Sequence, residues 1–283
     1  MTLIVAHRGA RSLAPENTLA AARKALEVGA GLWETDVVVT GDGELILLHD
    51  DSLTRTTNVS DCFPDRAPWT VTTFTLDEIR SLDAGSWFAR TDPFGQIAAG
   101  LVTREALSAY RNVKIPTLGE ALRFTKDASF CVNLELKRLP SPMKNFPLVE
   151  RVLAMIDDAG IEHERVIVSS FNHEWLREVQ AREPSLAIQA LAGCSETDIL
   201  DWENLEFKTY NVLSTLIDEK QVIALTEKGI SVNPFTVNEE AEMLKFAEAG
   251  AAGIITDFPQ RAVHLLRKEK AGDSSDRGMA NVK

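Results

Sequence analysis

Glu34 and Asp36 stand two apart in WETDVVV, so on a strand both side chains point to one face. Asn133, Glu135 and Lys137 repeat that spacing in NLELK, with Val132, Leu134 and Leu136 facing the other way. A parallel strand buried on both faces reads as a near-continuous apolar run, so a polar stripe near its end is anomalous. Brought together, Glu34, Asp36 and Glu135 make a hard oxygen site suited to Mg²⁺ or Ca²⁺. Kept apart, each is a rim carboxylate satisfied by its neighbours. His7 closes TLIVAH, and His49 follows ELILL. A single histidine at a strand end is more often structural. Two of them beside carboxylates form a candidate acid/base pair. Arg8 and Lys137 either hold an anion, Arg8 through its fork and Lys137 as a point charge, or salt-bridge the same carboxylates. Asp50 reads as a histidine's partner or a turn residue. Asp257, in GIITDFP, either caps a helix or belongs to the site. His163, His173 and His264 receive no role.

The elements that must position these groups alternate strand and helix. Strands are expected near 3–6, 32–36, 131–136, 166–170, 186–191, 208–213, 230–234 and 253–256. Asn17 or Thr18 caps the first helix, and Thr117 with Glu120 has capping-box spacing. Further helices are expected over roughly 145–159 and, more weakly, near 196–204. Eight parallel strands alternating with helices make an α/β protein, a (β/α)8 TIM barrel, for which ~250 residues is typical. An open doubly wound sheet is the runner-up, and the absence of a glycine dinucleotide fingerprint lowers it. The barrel is read as one catalytic domain over residues 1–270, with residues 271–283 a disordered tail.

TGDG is too short to join parallel neighbours, so residues 37–48 should form an antiparallel hairpin after the second strand. A two-residue loop at Gly41–Asp42 sets His49 opposite Glu34; one at Asp42–Gly43 sets it opposite Asp36. Either register puts His49 on the face of both carboxylates. Residues 51–115 are then an insertion, with a short helix at TREALSAYR. A loop this long is usually functional or a small subdomain. Leaving from the rim that carries His49, it should roof the pocket, with Trp87 and Phe88 either the pocket wall or buried in the insertion's own small core.

Composition excludes some functions. Hydrophobic content is 45% and charged content 25%, enough for a sizeable core. The net charge of -12 lacks the basic footprint of a nucleic-acid groove. Cys62, Cys131 and Cys194 are too few and too scattered for a disulfide framework or a C-x-x-C metal site. The apolar run before His7 is too short for a signal-peptide core, and none spans a membrane. A small-molecule substrate and a reducing, cytoplasmic compartment fit these features.

AHRGARSLAPENT, WETDVVVTGDGELILLHDDSLTRTT, LDAGSWF, IPTLGEAL, NLELK, SSFN and GIITDFP together resemble the glycerophosphodiester phosphodiesterase family. The segments fall in the family's order along nearly the whole chain. The resemblance implies a (β/α)8 barrel with a small insertion and a divalent metal held by Glu34, Asp36 and Glu135. It implies His7 and His49 as the acid/base pair, with Arg8 and Lys137 near the phosphate. The implied reaction is hydrolysis of glycerophosphodiesters to glycerol 3-phosphate and an alcohol. A lysophospholipase D-type phosphodiesterase on the same barrel and a catalytically silent binding barrel are the alternatives. Two departures bear on the alcohol. NPFTVN puts Phe235 where the family usually has Trp, which makes Phe235 a substrate-contact candidate. The stretch between DAGSWF and IPTL is also longer than usual.

Overall fold

A computed structural model of the chain describes residues 2–266, so the expected tail over 271–283 and the boundary at 270 lie outside the described residues. Among the described residues nine strands form: β1 (Leu3–Ala6), β2 (Leu32–Val39), β3 (Leu45–Leu47), β4 (Val132–Leu136), β5 (Val166–Ser170), β6 (Ala187–Ala192), β7 (Thr209–Leu213), β8 (Ser231–Phe235) and β9 (Gly253–Thr256). All but β3 are parallel, in the spatial order β8-β7-β6-β5-β4-β2-β1-β9. The ends of that order meet. The Ala252 N–H donates to the Val232 carbonyl and the Val237 N–H to the Ile255 carbonyl, both at 2.9 Å. Eight parallel strands therefore form a nearly closed barrel, at the positions expected from the apolar runs.

Each strand puts alternate residues inside and outside. Val5, Leu32 and Ile255 pack within the barrel, with Cys131, Ile167 and Phe235 against them. Trp33, Val37, Val132, Leu134 and Val168 belong to the large core that the outer helices cover. Helix starts follow the expected chemistry. Thr18 accepts from the Ala21 N–H at 3.2 Å, and Thr117 forms a complete capping box with Glu120. The helix expected over 145–159 occupies Leu148–Ala159, starting after Pro147.

Gly9 has φ +78°, and a Cβ there would lie 2.6 Å from the Ala21 carbonyl carbon. Only glycine lets the loop after β1 turn this close to the first helix. Gly9→Ala should cost at least ~1–2 kcal/mol, the left-handed penalty alone, with the clash added. Urea unfolding against the unsubstituted chain measures it.

The expected helix near 196–204 does not form. The Asp198 carboxylate takes the N–H groups of Cys194 (2.7 Å) and Ser195 (3.2 Å), and Asp201 takes that of Glu203 (2.9 Å). These local side-chain bonds compete with a helical ladder and win.

The hairpin register differs from both expected forms. Val37 pairs with Leu47, Val38 with Ile46 and Val39 with Leu45. The loop is therefore the three residues Gly41–Asp42–Gly43, closed by the Thr40 N–H to the Glu44 carbonyl at 2.9 Å. Gly43 at φ +90° supplies the left-handed residue that a three-residue loop needs. Continuing this register would set His49 opposite Thr35, away from Glu34 and Asp36. β3 ends at Leu47, the Leu48 N–H still donates to the Asp36 carbonyl at 3.1 Å, and the chain then bends at His49 and Asp50, with His49 lining the cavity.

The insertion over 51–115 carries four short α-helices, Val59–Cys62, Leu76–Ser81, Ser86–Thr91 and Arg104–Tyr110, and two 3₁₀ turns, Pro64–Arg66 and Val71–Thr73. It rejoins beside β3, where the Leu47 N–H donates to the Pro116 carbonyl at 3.0 Å.

Candidate active site

The C-terminal ends of the strands surround a cavity of about 280 Å³. His7, Arg8, Glu34, His49, Glu135 and Lys137 line its β1–β4 side. Phe171, Leu191, Leu213 and Phe235 give the β5–β8 side an apolar wall. Phe235 and Phe171 meet edge to face, with ring centroids 6.2 Å apart.

Parallel register sets Glu34 beside Asn133 and Asp36 beside Glu135. The carboxylates of Glu34, Asp36 and Glu135 each bring an oxygen within 4.8 Å of the others. Asp36 is held by Asn17 Nδ2 at 2.8 Å, with Arg8 Nε at 3.4 Å and Lys137 Nζ at 3.5 Å. Burial would raise its pKa, but Arg8 and Lys137 outweigh burial and hold it well below the usual carboxylate range. Glu34 goes the other way. Burial, then the charges of Asp36 and Glu135, push its pKa well up. Burial and Asp36 likewise raise Glu135, although Lys137 lies 2.8 Å from it. Glu34 Oε2 accepts the Arg8 N–H at 2.8 Å, while its Oε1 is buried and has no partner. Three crowded acceptors with one orphaned oxygen fit a divalent cation.

Each histidine has its own aspartate. His7 Nδ1 donates to Asp257 Oδ1 at 2.7 Å, and His49 Nδ1 donates to Asp50 Oδ1 at 2.7 Å. Burial raises both aspartates' pKa, yet their histidine and arginine partners pull both well below the ordinary range. An ionised carboxylate only accepts, so the imidazole proton sits on Nδ1 in both rings and Nε2 is left for chemistry. Burial, then Arg8, lowers the His7 pKa and keeps that ring neutral at pH 7. Asp257 is also held by Asn238, whose Nδ2 donates to its Oδ2 at 2.8 Å. Asp50, read as a histidine's partner or a turn residue, holds His49; Asp257, read as a helix cap or a site residue, sits at the site and holds His7.

Arg8 and Lys137 salt-bridge the site's acids; Arg8 also donates from Nη1 to Glu16 Oε1 at 2.9 Å. Trp87 is not at the site. It lies 6% exposed in a separate cluster with Phe88, Tyr110, Leu13 and Ala21, and its indole N–H donates to the Ala84 carbonyl. No residue of 51–115 lines the cavity, which corrects the expected roof. Trp87→Ala should cost about 3–5 kcal/mol of stability. The kcat/KM ratio between glycerophosphocholine and glycerophosphoglycerol should not move, and the two assays with thermal melts test both statements.

Several residues around the site escaped the sequence reading. Glu16 sat in a loop, where polar residues are ordinary, and Asn17 was read only as a candidate helix cap, whereas it holds Asp36. Their burial, 5% and 3% exposed, is the signal, and only packing reveals it. Arg55 carried no mark beyond its place six residues after His49.

A sequence profile of the glycerophosphoryl diester phosphodiesterase family matches residues 7–261. A glycerophosphodiester phosphodiesterase of Caldanaerobacter subterraneus is 35% identical over 274 residues, covering 94% of this chain and 98% of the relative. One from Bacillus subtilis is 32% identical over 281 residues, covering 95% and 87%. A solved Oleispira antarctica phosphodiesterase, in complex with the product sn-glycerol-3-phosphate, superposes with a TM-score of 0.73. It is 27% identical, and the match covers 94% of this chain and 97% of that one.

Proposed function

The chain belongs to the glycerophosphoryl diester phosphodiesterase family and is a phosphodiester hydrolase, and on that premise we propose that it cleaves small glycerophosphodiesters to glycerol 3-phosphate and an alcohol at this cavity. The observation that carries the assignment is the pairing of two histidine–aspartate couples with one three-carboxylate cluster around a single pocket. A Mg²⁺ or Ca²⁺ ion on Glu34, Asp36 and Glu135 would neutralise charge on the phosphoryl oxygens. Arg8 and Lys137, already beside those acids, add positive charge where the phosphate enters. One histidine takes the proton of the attacking hydroxyl at Nε2; if that hydroxyl is water's the product is glycerol 3-phosphate directly, and if it is the glycerol's own a cyclic phosphate forms that a water then opens to glycerol 3-phosphate. The other, carrying a second proton on Nε2 as imidazolium, gives that proton to the leaving oxygen. The leaving alcohol lies against Phe171 and Phe235, the apolar side of the pocket.

The pocket suits a soluble diester, and we assign the cytoplasm on the strength of the three free thiols Cys62, Cys131 and Cys194. Among the described residues no helix is long and apolar enough to cross a membrane. Turnover of glycerophosphocholine, glycerophosphoethanolamine and a lysophospholipid, each with Mg²⁺, Ca²⁺ or chelator, tests the proposal. Metal-dependent release of glycerol 3-phosphate from the first two is the expected outcome. Cleavage of the lysophospholipid alone would replace this reading with the lysophospholipase D one, and no turnover of any would leave a binding barrel.

A further inference from the structure

Glu16 is 2% exposed at its side chain and is surrounded by three guanidinium groups. Its Oε1 accepts from Arg8 Nη1 at 2.9 Å and Arg55 Nη2 at 2.7 Å; its Oε2 accepts from Arg55 Nη1 at 2.9 Å and lies 3.0 Å from Arg11 Nη2. Two of these arginines continue outward to the histidine couples. Arg55 Nε donates to Asp50 Oδ2 at 2.6 Å, and Asp50 holds His49. Arg11 Nη1 lies 3.5 Å from Asp257 Oδ1, the same oxygen that holds His7. The chain His7–Asp257–Arg11–Glu16–Arg55–Asp50–His49 is thus linked throughout by charge contacts, the weakest being Arg11, whose Nη1 lies 3.5 Å from both Asp257 Oδ1 and His7 Nδ1. Arg8, Arg11 and Arg55 balance the charges of Glu16, Asp50 and Asp257, so the assembly is neutral without any contribution from the histidines.

We propose that Glu16 is a positioning residue for both halves of the acid/base pair, and that the insertion serves the chemistry by supplying Arg55 to it. This rests on the assignment of His7 and His49 as that pair. A carboxylate has about four lone-pair directions, and at Glu16 three guanidiniums occupy them. Each guanidinium is rigid and planar, so fixing its contact with Glu16 fixes the plane in which it meets the next aspartate. The aspartate in turn fixes the tautomer and tilt of its histidine. The three arginines pull the Glu16 pKa down to about 2 although burial would raise it, so the hub stays ionised throughout the working pH range. Glu16 touches neither reacting atom; its effect is carried through Asp50 and Asp257.

Glu16→Gln keeps the shape but turns one acceptor into a donor facing a guanidinium. It should lower kcat about 10–100-fold, and KM should rise as well because Arg8 loses its Glu16 partner; the split of kcat from KM is read in Arg55→Lys, which leaves Arg8 on Glu16 and should keep KM within about threefold. Ring ¹⁵N spectra should change from one Nδ1–H tautomer for His7 and His49 to mixtures. Losses from Glu16→Gln and Asp50→Asn should be far from additive, as expected of residues in one network. Arg55→Lys covers the case in which Glu16→Gln fails to fold. Its side chain is 40% exposed, and the change leaves Arg8 and Arg11 on Glu16. It should disturb the His49 tautomer and leave that of His7 unchanged. Single-tautomer spectra for both histidines in a folded Glu16→Gln or Arg55→Lys protein, or kcat within twofold of the unsubstituted enzyme, overturn the proposal. The spectra are read without turnover. Altered tautomers together with active His7→Ala and His49→Ala enzymes would therefore uphold the positioning role and reject the acid/base reading.

Discussion

His7→Ala and His49→Ala should each lower kcat by about 10²–10⁴, the range for losing a general acid or base. Neither change should unfold the chain. Both histidines sit on the rim of the cavity, and their removal leaves the strand core intact. The two variants should differ in what rescues them. A diester with a strongly acidic leaving alcohol needs little protonation as the bond breaks. It should restore turnover to the variant that lacks the acid and do nothing for the variant that lacks the base. The pH dependence adds an independent sign. Burial and Arg8 lower the His7 pKa from the ordinary 6.5, so its neutral form persists to pH values below that figure. Activity that needs neutral His7 should therefore hold as pH falls past 6.5 and be lost only lower down. A limb of kcat/KM lying above 6.5 and missing in His7→Ala would contradict this. Wild-type kcat in both variants, with folding confirmed by circular dichroism, would make the pair structural.

Much of this site was legible because it follows from short-range rules. Glu34 and Asp36 share a face by pleat alone, and β2–β4 register brings Glu135 beside them. The apolar runs fixed where strands end, and a barrel gathers those ends on one rim. Where the reading failed, longer-range packing decided. TGDG permits two- and three-residue loops, and the choice turned on which glycine adopts the left-handed conformation. The insertion's direction could not be read from Trp87 itself. That side chain packs with Leu13 and Ala21, far away in sequence, rather than over the pocket. The helix near 196–204 failed for a local reason, since Asp198 and Asp201 offered the backbone better partners. The arginine network was illegible altogether. Glu16 finds Arg55 39 residues away, and nothing in either segment names the other.

Glu135→Gln should weaken Mg²⁺ or Ca²⁺ binding by at least about 10–100-fold, the loss that even an outer partner of a metal site causes. Turnover should fall with it. Glutamine keeps the volume and one neutral oxygen, but it removes a charge that lies beside Asp36 and Glu34. The metal-free protein should respond in the opposite sense. Burial and mutual repulsion raise the Glu34 and Glu135 pKa values, so the folded chain binds these protons more tightly than the unfolded one. The Glu34 and Glu135 contribution to stability in chelator should therefore be fully present below about pH 4.5, the unfolded glutamate range, and be lost as pH rises through the raised folded values. It is opposite in sign to that of the lowered Glu16, Asp36, Asp50 and Asp257, whose stabilisation is lost as pH falls. Removing one member of the trio relieves part of that repulsion. In chelator at neutral pH, Glu135→Gln should melt no lower than the unsubstituted chain, unless freeing Lys137 from its 2.8 Å partner costs more than the relief gains. Glu135→Gln combined with Lys137→Met separates those two effects. Adding metal should then stabilise the unsubstituted chain, by an amount that grows with the ratio of concentration to Kd. The Glu135→Gln chain should gain little. Calorimetric titration and melts with and without metal measure both arms. A variant with an undiminished metal-induced shift, or with full turnover in chelator, would show that the cation is not held by this trio.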